Sequence, residues 1–189
     1  MRIVLEGFWG VGKSTLARAF VAEGYAFLAE PDHIHALPML SSPEEIDAWY
    51  IEQHLARATA FFSGPEAANK IMERSFLSSA AYLYANGEEY ATALPEIFLE
   101  KLRDGKVLFL DVPTPYVQSH SSEVNGERNQ SLLSQEGFVE AYRTFFTDVL
   151  PREYGIIPVT IACVVGDTRR SREDIYKVAA SSILGNTSS

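Results

Sequence analysis

Residues 7–15 read Gly-Phe-Trp-Gly-Val-Gly-Lys-Ser-Thr, and Gly7, Gly12, Lys13 and Ser14 satisfy the spacing G-x-x-x-x-G-K-[ST]. The apolar run Arg2–Glu6 precedes this segment. The run Ser14–Ala22 follows it, with Leu16, Ala17 and Phe20 at helical spacing. A strand, a glycine-rich loop and a helix in that order build an anion cradle. Glycines reach the backbone angles that aim successive N–H groups into one concavity, and the helix adds its unpaired N–H groups and the positive end of its dipole. The segment predicts a nucleotide site formed by Gly7, Gly10, Val11, Gly12, Lys13, Ser14 and Thr15. Lys13 would carry positive charge to the β- and γ-phosphates, and Ser14 would place a hydroxyl on Mg²⁺. The loop does not choose a reaction, because kinases, GTPases and motor ATPases share it.

The rest of the chain alternates short apolar runs with longer amphipathic stretches. Strands are expected at Arg2–Glu6, Tyr25–Glu30, Asn69–Glu73, Val107–Val112 and Ile156–Val165. Helices are expected at Ser14–Ala22, from Pro43 to about Phe62, and at Phe76–Ala85, Pro95–Arg103, Gln135–Val149 and Ser171–Ile183. Ser42 reads as the cap of the second of these, with Pro43 in its first turn. The polar stretch 119–131 reads as a loop or lid, and 185–189 as a tail. The expectation is an α/β chain: a single P-loop NTPase domain over 1–189, three layers α/β/α, with a five-stranded parallel sheet and a short lid.

Composition removes several classes. Acidic residues outnumber basic ones, 25 to 16, for a formal charge of −9. That balance argues against binding a nucleic acid polymer, which needs Lys and Arg to neutralise phosphates. The single cysteine, Cys163, excludes an internal disulfide framework and a Cys-rich zinc site, and its place in an apolar run reads as a buried strand residue. The four histidines form no metal motif. The stretch Ile3–Leu5 is broken by Glu6 and Gly7, so it does not read as a signal peptide, and no run reaches the length of a membrane span. A reducing cytoplasmic setting with no membrane partner is expected.

Further segments, taken in order, carry a resemblance. Glu30-Pro31 ends the second strand, and Trp49 and Gln53 lie on the next long helix. Glu73-Arg74-Ser75 follows the third strand, Leu108-Phe109-Leu110-Asp111-Val112-Pro113 forms the fourth, and Glu136-Gly137-Phe138 leads to Tyr142. With the glycine loop, these resemble the deoxynucleoside kinase and thymidylate kinase group of P-loop nucleoside and nucleotide kinases. The resemblance implies transfer of the γ-phosphoryl of ATP-Mg²⁺ to a small acceptor. A nucleoside or deoxynucleoside 5′-hydroxyl is preferred, with a nucleoside monophosphate second and another hydroxylated metabolite as alternative. It makes Glu30 the base beside the acceptor hydroxyl, Arg74 the cation over the migrating phosphoryl group, and Glu73 a partner of Mg²⁺, direct or through water. It gives Gln53, with Trp49 near it, a part in holding the base. A catalytic set of Lys13, Glu30 and Arg74 follows.

These positions make independent sense, since ligands of open parallel sheets collect beyond the carboxyl ends of the strands. Each also has a plain reading. Glu30 would be a solvated strand end, Arg74 would pair structurally with Glu73 or Asp111, and Asp111 would cap the turn into Pro113. Trp49 and Tyr50 would be core, with Gln53 solvated. Phe8 and Trp9 would wall the acceptor pocket or pack behind the loop. Between Thr114 and Leu133 the only arginine is Arg128, fewer than lids of this group bring to the phosphates. Arg169, Arg170 and Arg172 cluster after the last strand and read as a solvated turn. From a different class, a nucleotide-dependent switch with slow hydrolysis is the rival. Its GTPase form lacks an Asn-Lys-x-Asp motif. The helices at 44–62 and 76–86 offer a face for a homodimer.

Overall fold

A computed structural model describes residues 1–32, 36–63, 68–121 and 127–184 of the chain. Five parallel strands form the sheet: β1 (Arg2–Gly7), β2 (Ala26–Leu28), β3 (Lys70–Glu73), β4 (Lys106–Asp111) and β5 (Val159–Ala162). Their spatial order is β2-β3-β1-β4-β5. β1 and β4 occupy the middle and are apolar almost throughout, with Ile3, Val4, Leu5, Leu108, Phe109 and Leu110 fully buried. Such runs suit strands covered on both faces. Helices α1 (Lys13–Ala22) and, near the C-terminus, α9 (Arg172–Leu184) pack on one face. The other face carries α2 (Pro43–Phe62), α3 (Phe76–Ala85), α4 (Glu96–Arg103) and α7 (Glu136–Thr144). The arrangement is the three-layer core of a P-loop NTPase.

Local chemistry sets the helix starts. The Ser42 hydroxyl accepts from the Glu45 N–H at 3.2 Å, and Glu45 reaches back to the Ser41 N–H at 2.6 Å. The first bond satisfies a donor that α2 would otherwise leave open, and the second fixes the chain just ahead of the cap. Ser75 caps α3 in the same way through the Leu77 N–H at 3.1 Å. Gly12 opens α1 at φ 103° with no side-chain cap. The first N–H groups of α1 are thereby left for another acceptor.

Four expectations change in the structure. The second strand is shorter than Tyr25–Glu30, because it is an edge strand paired only with β3, and Arg57 takes the carbonyls of Leu28 and Ala29 where the ladder would continue. Within the stretch 119–131 read as a loop or lid, α6 spans Glu127–Leu133, and α5 (Thr114–Ser119) precedes it; residues 122–126 lie outside the described part, as does the tail 185–189. The helix read as Gln135–Val149 continues. After α7 comes a wider π turn, Phe145–Val149, then α8 (Leu150–Tyr154). The extra residue in that turn turns two adjacent aromatics inward. Phe146 stacks on Phe109 at 4.6 Å, and Phe145 meets Tyr84 and Tyr90. Finally, the run Ile156–Val165 is broken at Cys163, which is buried between β5 and the short strand β6 (Val164–Val165); β6 pairs antiparallel with β7 (Thr168–Arg169).

Register aligns the strand ends that matter. Leu5 of β1 lies beside Glu73 of β3, and Gly7 beside Leu110 of β4. The glycine loop, Glu73-Arg74, Asp111 and the exit of β2 toward Glu30 therefore share one edge of the sheet.

Candidate active site

The floor of the site is the glycine loop. Gly7 turns at φ 137° against β4, where a Cβ would collide with the Leu110 carbonyl. Gly12 turns at φ 103°, which L side chains rarely adopt. Lys13 is buried and folds back along the loop, donating to the carbonyls of Phe8 at 2.7 Å and Gly7 at 3.3 Å. Burial, reinforced by the nearby Arg74 charge, pushes its ammonium down to about 7.

Beside Lys13, the Ser14 hydroxyl donates to Glu73 Oε1 at 2.8 Å. A hydroxyl and a carboxylate from two elements, side by side at the glycine loop, are hard oxygen ligands suited to Mg²⁺. Magnesium asks for only one or two such protein groups besides phosphates and waters, so the donor set fits.

Arg74 follows directly. Its φ of 54° is left-handed, an uncommon state for a residue with a side chain that costs about 1 kcal/mol. The turn is pinned from both sides: the Arg74 N–H donates to the Leu5 carbonyl at 2.9 Å, and the Arg74 carbonyl accepts from Arg57 at 2.9 Å. This backbone aims the buried guanidinium at Glu30, with Nε 2.9 Å from Oε2, and over the Trp9 ring at 4.6 Å. Burial opposes the Arg74 charge, yet Tyr142, Glu30, Glu6 and Glu73 around it raise its pKa above the ordinary value. Arg74 pairs with Glu30, not with Glu73 or Asp111 as the plain reading had it. Phe8 and Trp9 part company: Phe8 is fully buried against Tyr142 and Phe109, whereas Trp9 lies under Arg74.

Trp49, Gln53 and Arg57 recur every fourth residue on α2, so they form one stripe along the helix. Arg57 fixes which way that stripe faces. Its guanidinium donates to the carbonyls of Glu73 at 2.7 Å, Arg74 at 2.9 Å and Leu28 at 3.2 Å, and also to that of Ala29. The stripe therefore runs from the strand ends outward, and half-buried Gln53 and Trp49 lie one and two turns from them. Trp49 packs edge-on against Tyr50.

Sequence reasoning missed four contributors. Arg57 was signalled only by its spacing from Gln53. Glu6, fully buried at the end of β1, accepts from the Ser75 N–H at 2.9 Å, the Ser75 hydroxyl at 2.6 Å and the Ser78 hydroxyl. An acid closing an apolar strand before the loop was its visible trace. Burial raises its pKa, and the serine hydrogen bonds and Arg74 hold it back. The Tyr142 hydroxyl is buried beside Arg74 and Ser78 without a completed hydrogen bond, and burial lifts it to about 12. His54 meets Ser79 at 2.8 Å while its Nε2 is buried without a partner; burial, then Arg57 and Arg74, push it down to about 3, so it is neutral.

Other candidates fall elsewhere. Asp111 pairs with Arg143 at 2.9 Å, and Arg143 also holds the Val112 carbonyl, Thr114 and Glu140. Arg143 thus approaches the loop, 5.7 Å from the Phe8 ring, with four of its five N–H donors committed. The side chain of Arg128 lies outside the described residues, as do His33 and His35. Among the described residues no three His, Cys, Asp or Glu side chains cluster as metal ligands, and no helix is long and apolar enough to cross a membrane.

No protein-family model and no curated protein matches the sequence. Solved structures do match in fold. Deoxyadenosine kinase from M. mycoides with bound dATP superposes with a TM-score of 0.64 at 14% identity, over 97% of this chain and 99% of that one. The likeness is one of fold, and that fold is P-loop kinase-like. Thymidylate kinase from Ehrlichia chaffeensis gives 0.59 at 14% identity, over 97% of each chain. Shikimate kinase from Acinetobacter baumannii in complex with shikimate gives 0.57 at 19% identity, over 100% of this chain and 95% of that one.

Proposed function

We propose that the protein is a small-molecule kinase that transfers the γ-phosphoryl of ATP-Mg²⁺ to the 5′-hydroxyl of a nucleoside or deoxynucleoside. One observation carries this reading: a carboxylate, Glu30, held 2.9 Å from the buried Arg74 at the mouth of a phosphate cradle. A carboxylate there is of no use to ATP alone, since it repels the phosphates. It becomes useful when an acceptor hydroxyl must be oriented and deprotonated.

Each residue then has a task. The loop N–H groups and Lys13 hold the β- and γ-phosphates. Ser14 and Glu73 would hold Mg²⁺, whose charge offsets that of the phosphates. Arg74 neutralises the phosphoryl group in flight. Glu30 accepts the hydroxyl proton as the acceptor oxygen bonds to the γ-phosphorus and the bond to the ADP oxygen breaks. Trp49 and Gln53, on the stripe oriented by Arg57, hold the base, an amide offering donor and acceptor together. The likeness to the deoxyadenosine and thymidylate kinase structures supports a nucleoside-type acceptor, and the single buried cysteine suits a cytoplasmic setting.

The test is ADP release from ATP-Mg²⁺ across a panel of nucleosides, deoxynucleosides, their monophosphates and shikimate-like polyols. Release stimulated by a nucleoside is the expected result. Stimulation by a monophosphate or polyol alone reassigns the acceptor, and hydrolysis indifferent to every acceptor favours the switch.

A further inference from the structure

The hairpin β6–β7 contributes nothing to the five-stranded sheet, yet it is tied down firmly. The Cys163 N–H donates to the Asp111 carbonyl at 2.8 Å, and the Arg170 N–H donates to the Cys163 carbonyl at 2.8 Å. These bonds lock the base of the hairpin to the end of β4. Its turn passes through Gly166 at φ 58°, and Arg169 stands opposite Val164 in the ladder. From there Arg169 Nη2 reaches across 159 residues of sequence to donate to the Gly10 carbonyl at 3.0 Å. The same nitrogen lies 3.6 Å from where a Cβ on Gly12 would stand. The guanidinium thus sits on the apex of the loop, between two glycines with positive φ.

Two physical consequences follow. A loop with left-handed glycines has little intrinsic rigidity, and a hydrogen bond from a fixed hairpin limits the conformations its N–H groups would otherwise explore. A guanidinium also carries five N–H donors, and its bond to Gly10 uses one of them. The guanidinium stands beside Gly10 and Gly12, where an anion held by the loop would sit. In a chain with charge −9, whose loop is approached by Glu6, Glu30 and Glu73, a cation at this point offsets repulsion of a polyphosphate.

We propose that Arg169 is a donor-side clamp: it fixes the loop apex through Gly10 and contacts the phosphates of the bound nucleotide, supplying from the hairpin a positive charge. The proposal rests on the reading of the loop as the ATP site.

The experiment measures ATP-Mg²⁺ and adenosine affinity by titration calorimetry, with melting temperatures, for wild type, Arg169→Ala, Arg169→Gln, Lys13→Ala and, as control, the exposed Arg172→Ala. Arg169→Gln keeps a donor for Gly10 and loses the charge. Both Arg169 variants should bind ATP about tenfold more weakly, a normal size for one charged contact, with melting temperature and adenosine affinity unchanged. Arg172→Ala should match wild type. ATP affinity within about twofold of wild type in Arg169→Gln overturns the phosphate contact. An equal loss for adenosine moves the contact to the base and also overturns it, as does a loss seen only alongside a collapsed melting temperature. These failures leave the ATP site standing so long as Lys13→Ala loses ATP. If Lys13→Ala binds ATP normally, the reading of the loop itself fails.

Discussion

Burial beside Arg74 pushes the Lys13 ammonium down to about 7, so near neutral pH part of the protein carries it uncharged. Bound phosphates favour the charged form. ATP binding at about pH 8 should therefore take up a fraction of a proton, and affinity should fall as pH rises through and above about 7. Calorimetry in buffers of different ionisation enthalpy reads this uptake directly. Lys13→Arg, charged throughout, should show none. Glu6 has the opposite history. Its pKa is raised from 4.5 by burial, so the folded chain holds its proton more tightly than the unfolded chain does. Its contribution to stability is fully present below about 4.5 and is lost as pH rises through the folded value. Glu6→Gln keeps an acceptor for Ser75 without the charge. Its stability relative to wild type should improve as pH climbs from about 4.5, in denaturant titrations. Glu6→Ala strands the Ser75 and Ser78 donors and should cost about 3 kcal/mol. The identity of Glu6 was plain in the sequence, but its role was not, because its partners lie 69 and 72 residues away.

Among the elements, α2 shows how a helix far from the loop in sequence shapes the site. Arg57 ties α2 to the ends of β2 and β3 and holds the left-handed turn that aims Arg74. Arg57→Ala should lower stability by about 2 kcal/mol, and it should lower kcat by at least tenfold through displaced Arg74 and Glu30 while ATP affinity stays within twofold. Melting curves and steady-state kinetics check this; unchanged kcat would make Arg57 purely structural. The strand–loop–helix unit at the start was legible because its signal is local: glycines, a lysine and a hydroxyl at fixed spacing. The break at Cys163, the shortness of β2 and the π turn at Phe145 were not. The first follows from the hairpin bond of the Arg170 N–H to the Cys163 carbonyl, and the other two are decided by partners from elsewhere in the chain: Arg57 for the second, Phe109, Tyr84 and Tyr90 for the third.

For the whole molecule, alternating strands and helices announced a parallel α/β sheet, but not the order β2-β3-β1-β4-β5, which depends on contacts between distant segments. That order is what puts Glu73-Arg74 next to the loop, and Glu30 one strand further out. Whether this edge holds an acceptor as well as a nucleotide turns on Glu30. The direct measurement is kcat and ATP affinity of Glu30→Gln, which keeps shape and hydrogen-bonding reach but removes basicity. ATP affinity should stay within a few-fold while kcat for the best nucleoside falls by roughly 10²–10⁴, the usual contribution of a general base. An unchanged kcat would contradict that role, and lost ATP binding would place Glu30 in the nucleotide site instead.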